Sequence, residues 1–230
     1  MPGPVRGCTL APMRPALILV ALLGLAPAAR ACDTALVLAI DISGSIDAGE
    51  YTTQSQGLAD ALTDPDVTDA LLRGQVALSV IHWSGVGRQA VTQPWQRMLS
   101  AGHVTRFAAA ARAQPRAFRA SDTAVGEALT FAIAQFDAVP DCARRVIDIS
   151  GDGPENAGFT MSRARQSAAL EGIEVNAIAI EDMGASIPIT SYYQRHVVTR
   201  GGFVITSRGL AGYPAAMRAK LLRELTKPSS

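Results

Sequence analysis

The chain has 230 residues, 48% of them hydrophobic, and its 21 basic residues nearly cancel 20 acidic ones. That length and apolar content suit one globular domain with a full core and exclude a disordered chain. With no basic excess and no basic run, the charge pattern gives no reason to expect nucleic acid or a membrane surface as partner.

The first 31 residues read as a secretory signal peptide. Arg14 precedes PALILVALLGLAPA, an apolar stretch too short to span a bilayer, and Ala29-Arg30-Ala31 supplies a small-x-small cleavage pattern. Met13 is an alternative initiator that leaves a compact signal with Arg14 as its basic end. The segment holds three arginines and no acid, so its removal takes the net charge from +1 to about −2. Cys32 follows the cut, but Ala29 stands where a lipoprotein signal carries a larger aliphatic residue, which disfavours a lipid anchor. The expected product is exported, periplasmic or extracellular, with no transmembrane segment after cleavage and one domain over residues 32–230.

Strand-like and helix-like segments then alternate. TALVLAI is a near-continuous apolar run, as a strand buried on both faces requires. From Ala48, Tyr51, Ser55, Leu58 and Leu62 fall on one helical face, and that helix should stop near Pro65. QVALSVIHW is a second strand. RQAVTQPW is a third, placed at an edge by Pro94. HVTRFAAAARA is helical, and in TAVGEALTFAIAQF the residues Val125, Ala128, Leu129, Ala132, Ile133 and Phe136 recur at steps of three and four. RRVIDIS is a strand, MSRARQSAALEG a helix ending at Gly172, and IEVNAIAI a strand. ITSYYQRHVVT reads as a helix, GGFVITS as the sixth strand, and YPAAMRAKLLREL as a closing helix with Pro214 in its first turn.

This alternation implies an α/β fold: one doubly wound, mostly parallel six-stranded sheet with helices on both faces. Ligands in such sheets bind where loops leave the carboxyl ends of the strands. Removal of the signal takes Cys8 with it and leaves Cys32 and Cys142, a pair that suggests one disulfide, with two unlinked thiols as the alternative. Cys32 stands nine residues before Asp41 and Cys142 ten before Asp152. If their strands are parallel neighbours, both cysteines lie at one edge, within bridging distance.

Three loops at the carboxyl edge carry hard oxygen donors. Asp41-Ile42-Ser43-Gly44-Ser45 follows the first strand, Ser121-Asp122-Thr123 precedes the long amphipathic helix, and Ser150-Gly151-Asp152-Gly153 ends a central strand. Carboxylate and hydroxyl oxygens suit Mg²⁺, Mn²⁺ or Ca²⁺ better than a thiolate-loving metal. The bland reading is strand ends and helix caps, which use the same residue types. Asp122 is a rival ligand, though a solvated turn is its simpler role. Asp148 lies about 13 Å from Asp152 along the strand and cannot share its ion; Arg144 or Arg145 is its expected partner. Glu155, Asn156 and Trp83-Ser84-Gly85 either shape the rim or serve ordinary loop chemistry, with the latter favoured. Tyr192-Tyr193 is expected to pack a helix.

DISGS, Thr123 and Asp152, in that order and element context, resemble the metal-ion-dependent adhesion site of von Willebrand factor A-type domains. The wording of ACDTALVLAIDISGSIDAGEY, HWSG, RVIDISGDG and YPAAMRAKLLREL resembles a bacterial branch of these domains, domain of unknown function 1194. The resemblance covers essentially all of the mature chain and implies the Rossmann-like von Willebrand factor A fold. It implies that Ser43 and Ser45 give hydroxyl oxygens to the ion and that Thr123 does so directly or through water. Asp41 and Asp152 would hold metal-bound waters or exchange with them. The ion expected is Mg²⁺, with Mn²⁺ or Ca²⁺ as alternatives, and an acidic residue of a protein partner would complete its coordination. Here the last aspartate sits in SGDG, where many relatives carry Thr-Asp-Gly.

Two other functions fit less well. A metal-dependent hydrolase of the phosphoesterase type would use the same oxygens, but the sequence sets no His or Lys beside them as a base. His82, His103 and His196 are isolated, and Gly-x-Ser-x-Gly and Gly-x-Gly-x-x-Gly are both missing. A structural domain with a vestigial site is the third reading. The expectation is a monomeric binding module and not an enzyme.

Overall fold

The first strand, β1 (Thr34–Asp41), is buried along its whole length because its alternate side chains serve two cores. Leu36, Leu38 and Ile40 enter one, and Ala35, Val37 and Ala39 the other. The remaining strands are β2 (Ala77–Trp83), β3 (Gln89–Arg97), β4 (Arg144–Gly151), β5 (Glu174–Glu181) and β6 (Val204–Arg208). The computed structural model describes residues 1, 3, 32–119, 121–181 and 188–226. The predicted signal segment, apart from residues 1 and 3, lies outside them.

The sheet order is β3-β2-β1-β4-β5-β6, parallel except for β3, which pairs antiparallel with β2 at the edge. Pro94 sits in that edge strand, where a missing N–H costs no central ladder bond. The order reverses between β1 and β4, which run parallel with Leu36 beside Val146 and Ile40 beside Ser150. The loops after these two strands therefore leave the same edge at the switch point, where a doubly wound sheet opens a crevice.

Helices α1 (Ala48–Thr63), α2 (Pro65–Arg73), α3 (Ala101–Ala113) and α7 (Tyr213–Leu225) cover one face, with Leu58, Leu71, Phe107 and Met217 in its core. Helices α4 (Val125–Ile133), α5 (Met161–Leu170) and the short α6 (Ile189–Tyr192) cover the other. The periodic apolar residues of α4 are those in the core: Val125, Ala128, Leu129 and Ala132 are fully buried. No helix among the described residues is long and apolar enough to cross a membrane.

Two elements depart from expectation. The first helix stops near Pro65 as expected, but a second, unforeseen one follows at once: Asp64 ends α1 and starts α2, its Oδ1 accepting from the N–H groups of Asp66 and Val67 at 3.1 and 3.3 Å. Proline at the first helical position costs no hydrogen bond, so the same residue can stop one helix and open the next. The helix expected over 189–199 is one turn of α6 followed by a widened π-type turn, Tyr193–Val197. Tyr193 and Val197, at the two ends of that turn, both face the core, each fully buried.

Cys32 and Cys142 are joined, with Cα atoms 4.5 Å apart, just below the parallel start of β1 and β4. Asp148 is the other surprise. Its partner is Lys220 of α7, whose Nζ lies 2.6 Å from Oδ1, and not Arg144 or Arg145. Lys220 also meets Glu224 at 2.5 Å, and Asn176 of β5 donates to Glu224 at 2.9 Å. All three charged side chains are buried. Neither Asp148 oxygen accepts an aligned hydrogen bond from a described residue, so the contact is a charge pair more than a directed bond. Arg144 instead donates to the carbonyl of Glu224, and Arg145 to that of Glu171.

Candidate metal centre

The loop after β1 is shaped by its own polar groups. Asp41, fully buried, accepts the N–H of Ser43 on Oδ1 at 2.7 Å, which folds the chain back on itself. Ile42 drops into the α1-side core and leaves the flanking residues at the rim. Ser43 and Ser45 hydroxyls meet at 3.2 Å, and Ser45 Oγ donates to Asp152 Oδ1 at 2.7 Å. Two of the three loops are thereby joined through side chains.

The third loop is tied in by backbone. Gly44 N–H donates to Ser121 O at 2.7 Å, and Ala124 N–H to Ser84 O at 3.0 Å. Asn156 Oδ1 accepts the N–H of Thr123 at 2.8 Å, and Asn156 N–H returns to Thr123 O at 2.9 Å. The helix cap itself falls to Ala124, so the Thr123 hydroxyl is not spent on it. That hydroxyl makes no hydrogen bond among the described residues, although Thr123 is only 5% exposed.

The structure thus gathers the loops of Asp41, Ser43, Ser45, Thr123 and Asp152 at one rim. Asp41, Ser43 and Thr123 form the buried floor, and Ser45 and Asp152 the more open lip. Asp122 is exposed, as a turn residue would be. Among the described residues no three His, Cys, Asp or Glu side chains cluster as metal ligands; these loops offer hydroxyls and two carboxylates.

Electrostatics mark the floor as short of positive charge. Burial, with the Asp152 carboxylate beside it, pushes the Asp41 carboxyl up to about 7, against hydrogen bonding from Ser43. Its Oδ2 is buried with no hydrogen-bond partner among the described residues. A buried carboxylate oxygen without a hydrogen-bond partner among the described residues, a buried threonine on an adjoining loop and hard oxygen donors throughout are a set that fits a small divalent cation.

Several residues outside the sequence pattern hold this arrangement. Glu155 accepts the N–H of Gly126 at 2.9 Å and of Met161 at 3.2 Å, capping the starts of α4 and α5 with one side chain. Gly126 is needed there, because a Cβ would sit 2.3 Å from Met161 N. The Arg116 guanidinium donates to the carbonyls of Ile42 and Ser43 at 2.6 and 2.7 Å, clamping the first loop from behind. Ser84 donates to Asp122 O at 3.2 Å. Glu155, Asn156 and Ser84 therefore do shape the rim, and they do it as loop scaffolding. His82 lies in the α1-side wall, where burial lowers its pKa to about 4; His103 and His196 sit on helix and turn surfaces away from the cluster.

Comparison with solved structures gives the fold. Proximal thread matrix protein 1 from the mussel byssus, in a form described as having a zinc-occupied MIDAS motif, aligns with TM-score 0.60 and 17% identity over 85% of this chain and 46% of its own. The pilus adhesin SpaC from Lactobacillus rhamnosus GG gives 0.64 and 14%, over 84% and 30%. A von Willebrand factor type A protein from Catenulispora acidiphila gives 0.57 and 18%, over 85% and 42%. The chain spans less than half the length of each. At these identities the likeness is one of fold, the von Willebrand factor A-type α/β sheet. No curated protein matches the chain in sequence. The sequence model of one family, described as "Protein of unknown function (DUF1194)", matches residues 31–229.

Proposed function

Because the chain belongs to the DUF1194 family and has the von Willebrand factor A-type fold, we propose that it is a cation-dependent binding module. Asp41, Ser43, Ser45, Thr123 and Asp152 would hold the ion, Mg²⁺ first, with Mn²⁺ and Ca²⁺ as alternatives. A bound ion would supply a positive centre with a coordination position for the carboxylate of a protein partner. The chain's own residues do the rest. Ser45 and Asp152 bridge two loops, Arg116 and Asn156 fix the backbone, and the buried floor excludes bulk water.

The observation that carries this reading is the pairing of the Ser45–Asp152 hydrogen bond with the bare, buried Oδ2 of Asp41. Ordinary strand-end turns use their side chains up in local bonds, whereas this rim keeps acceptors in reserve. The zinc-occupied MIDAS described for the mussel protein supports the same chemistry on the same fold. We further propose export by cleavage after residue 31, to which the joined cysteines lend support, and a monomeric mature domain of residues 32–230.

The test is capture of envelope proteins by the mature domain in Mg²⁺ or Mn²⁺, with EDTA and Asp41→Ala as controls. The reading predicts partners lost under both. A phosphatase and esterase panel with and without Mn²⁺ separates binder from enzyme, with turnover that depends on Asp41 as the contrary result.

A further inference from the structure

Tyr193 is fully buried in the core on the α4–α5 side of the sheet, yet its hydroxyl has no hydrogen-bond partner among the described residues. Buried hydroxyls normally find one, so an orphan of this kind calls for a cause. The widened turn Tyr193–Val197, closed by Val198 N–H onto Tyr193 O at 3.1 Å, fixes the direction of the ring. The ring lies across the end of β4. A Cβ built on Gly151 would sit 2.1 Å from the Tyr193 hydroxyl and 3.0 Å from Asp41 Oδ2.

Two buried polar atoms without partners therefore border the same small space over Gly151, one a potential donor and the other an acceptor. Asp41 Oδ1 is already fixed by the Ser43 N–H, so Oδ2 is the oxygen whose orientation remains to be set. A neutral phenol is suited to setting it, because it can donate one hydrogen bond without bringing a positive charge that would repel a cation. Gly151 makes the approach possible, since any side chain there would expel the ring.

We propose that Tyr193 is a positioning residue of the candidate metal site: its hydroxyl donates through one bridging water to Asp41 Oδ2 and aims that carboxylate for cation binding. This rests on the metal-site reading above and adds a fourth segment, the turn after α6, to the three loops that the sequence pattern marks. Partners of this outer kind commonly govern metal affinity by 10-fold or more.

Tyr193→Phe keeps the ring and its packing and removes only the hydroxyl. Titration calorimetry with Mg²⁺ and Mn²⁺ should show affinity for the cation about 10-fold weaker than wild type. Thermal unfolding in EDTA should leave the variant cooperatively folded with a Tm within a few degrees of wild type, because the ring and its packing are kept. With saturating Mn²⁺ in wild type, the upward shift in Tm should be smaller in the variant at the same concentration. A merely structural tyrosine would instead lower Tm with and without the cation alike, and that result overturns the proposal. Equal cation affinity in Tyr193→Phe and wild type overturns it too, while leaving the metal site standing. If wild type binds no divalent cation, both fall together.

Discussion

Ser45 Oγ reaches Asp152 Oδ1 across 2.7 Å, although the two stand 107 positions apart in the chain. The contact exists because β1 and β4 are adjacent parallel strands whose exits share one edge. If the pair belongs to a cation site, Ser45→Ala and Asp152→Ala should each weaken Mn²⁺ binding at least 10-fold by calorimetry. Asp41→Ala should abolish it. Asp41 Oδ1 accepts the Ser43 N–H, so Asp41→Ala should also cost about 1–3 kcal/mol of stability in EDTA, and its binding is read under conditions where the variant is folded. An isotherm for Asp41→Ala that matches wild type would end the metal reading.

Glu155 caps two helices with one carboxylate, so Glu155→Ala leaves two N–H groups to find water. Urea denaturation should show a loss of about 1–3 kcal/mol. Glu155→Gln, which keeps an acceptor, should recover part of it.

Gly126→Ala tests how closely α4 and α5 approach. The added carbon would meet Met161 N at 2.3 Å and Thr160 C at 2.5 Å, both backbone atoms that cannot swing aside. Although alanine is the better helix former, the variant should be less stable by about 1–3 kcal/mol in the same assay. An unchanged or raised midpoint would mean that the helices part at no cost.

The Cys32–Cys142 bridge joins cysteines 110 positions apart in sequence. Constraining so long a loop should contribute roughly 2–5 kcal/mol, lost in Cys142→Ser or under reductant. Peptide mapping without reductant should recover the two cysteines as one linked pair, and free thiols at both would refute the bridge.

The buried group on α7 predicts a pH dependence of its own. Burial, then the nearby Asp148, raises Glu224 to about 7 against the attraction of Lys220. The native state therefore keeps a proton that the unfolded chain sheds near its ordinary value of 4.5. The stabilisation is complete below that value and is lost as pH rises towards 7. Glu224→Gln mimics the neutral form, so between about pH 5 and pH 7 its urea midpoint should fall less than that of wild type. Parallel slopes would show that Glu224 titrates normally.

The sheet was legible because its signals are local. A run such as TALVLAI can only be a strand covered on both faces, and the steps of three and four in 125–136 suit only a helix. DISGS could be picked out for the same reason, since its alternation is confined to five residues. Helix α2 was hidden because Pro65 signals the end of one helix and the start of another equally well. Arg116 and Tyr193 were beyond reach for a different reason. Arg116 touches the first loop from 73 positions away, out of a stretch with no periodicity. Tyr193 reaches Gly151 only through a widened turn that no spacing rule announces. Lys220 and Glu224, four apart on a helix, look like a surface pair, and only the packing of α7 on β4 and β5 reveals Lys220 as the buried counter-charge that Asp148 and Glu224 share.

The covalent link at the foot of the two central strands also turns residues 32–142 into a closed ring. Asp41, Ser43, Ser45 and Thr123 sit on that ring, and Asp152 hangs from it through Cys142. A protease that nicks an exposed connection inside the ring, such as the turn around Val86, would produce two pieces that stay attached to each other. A cleaved molecule would run as one band until reduced, with all five oxygen-bearing residues still on a single tethered body.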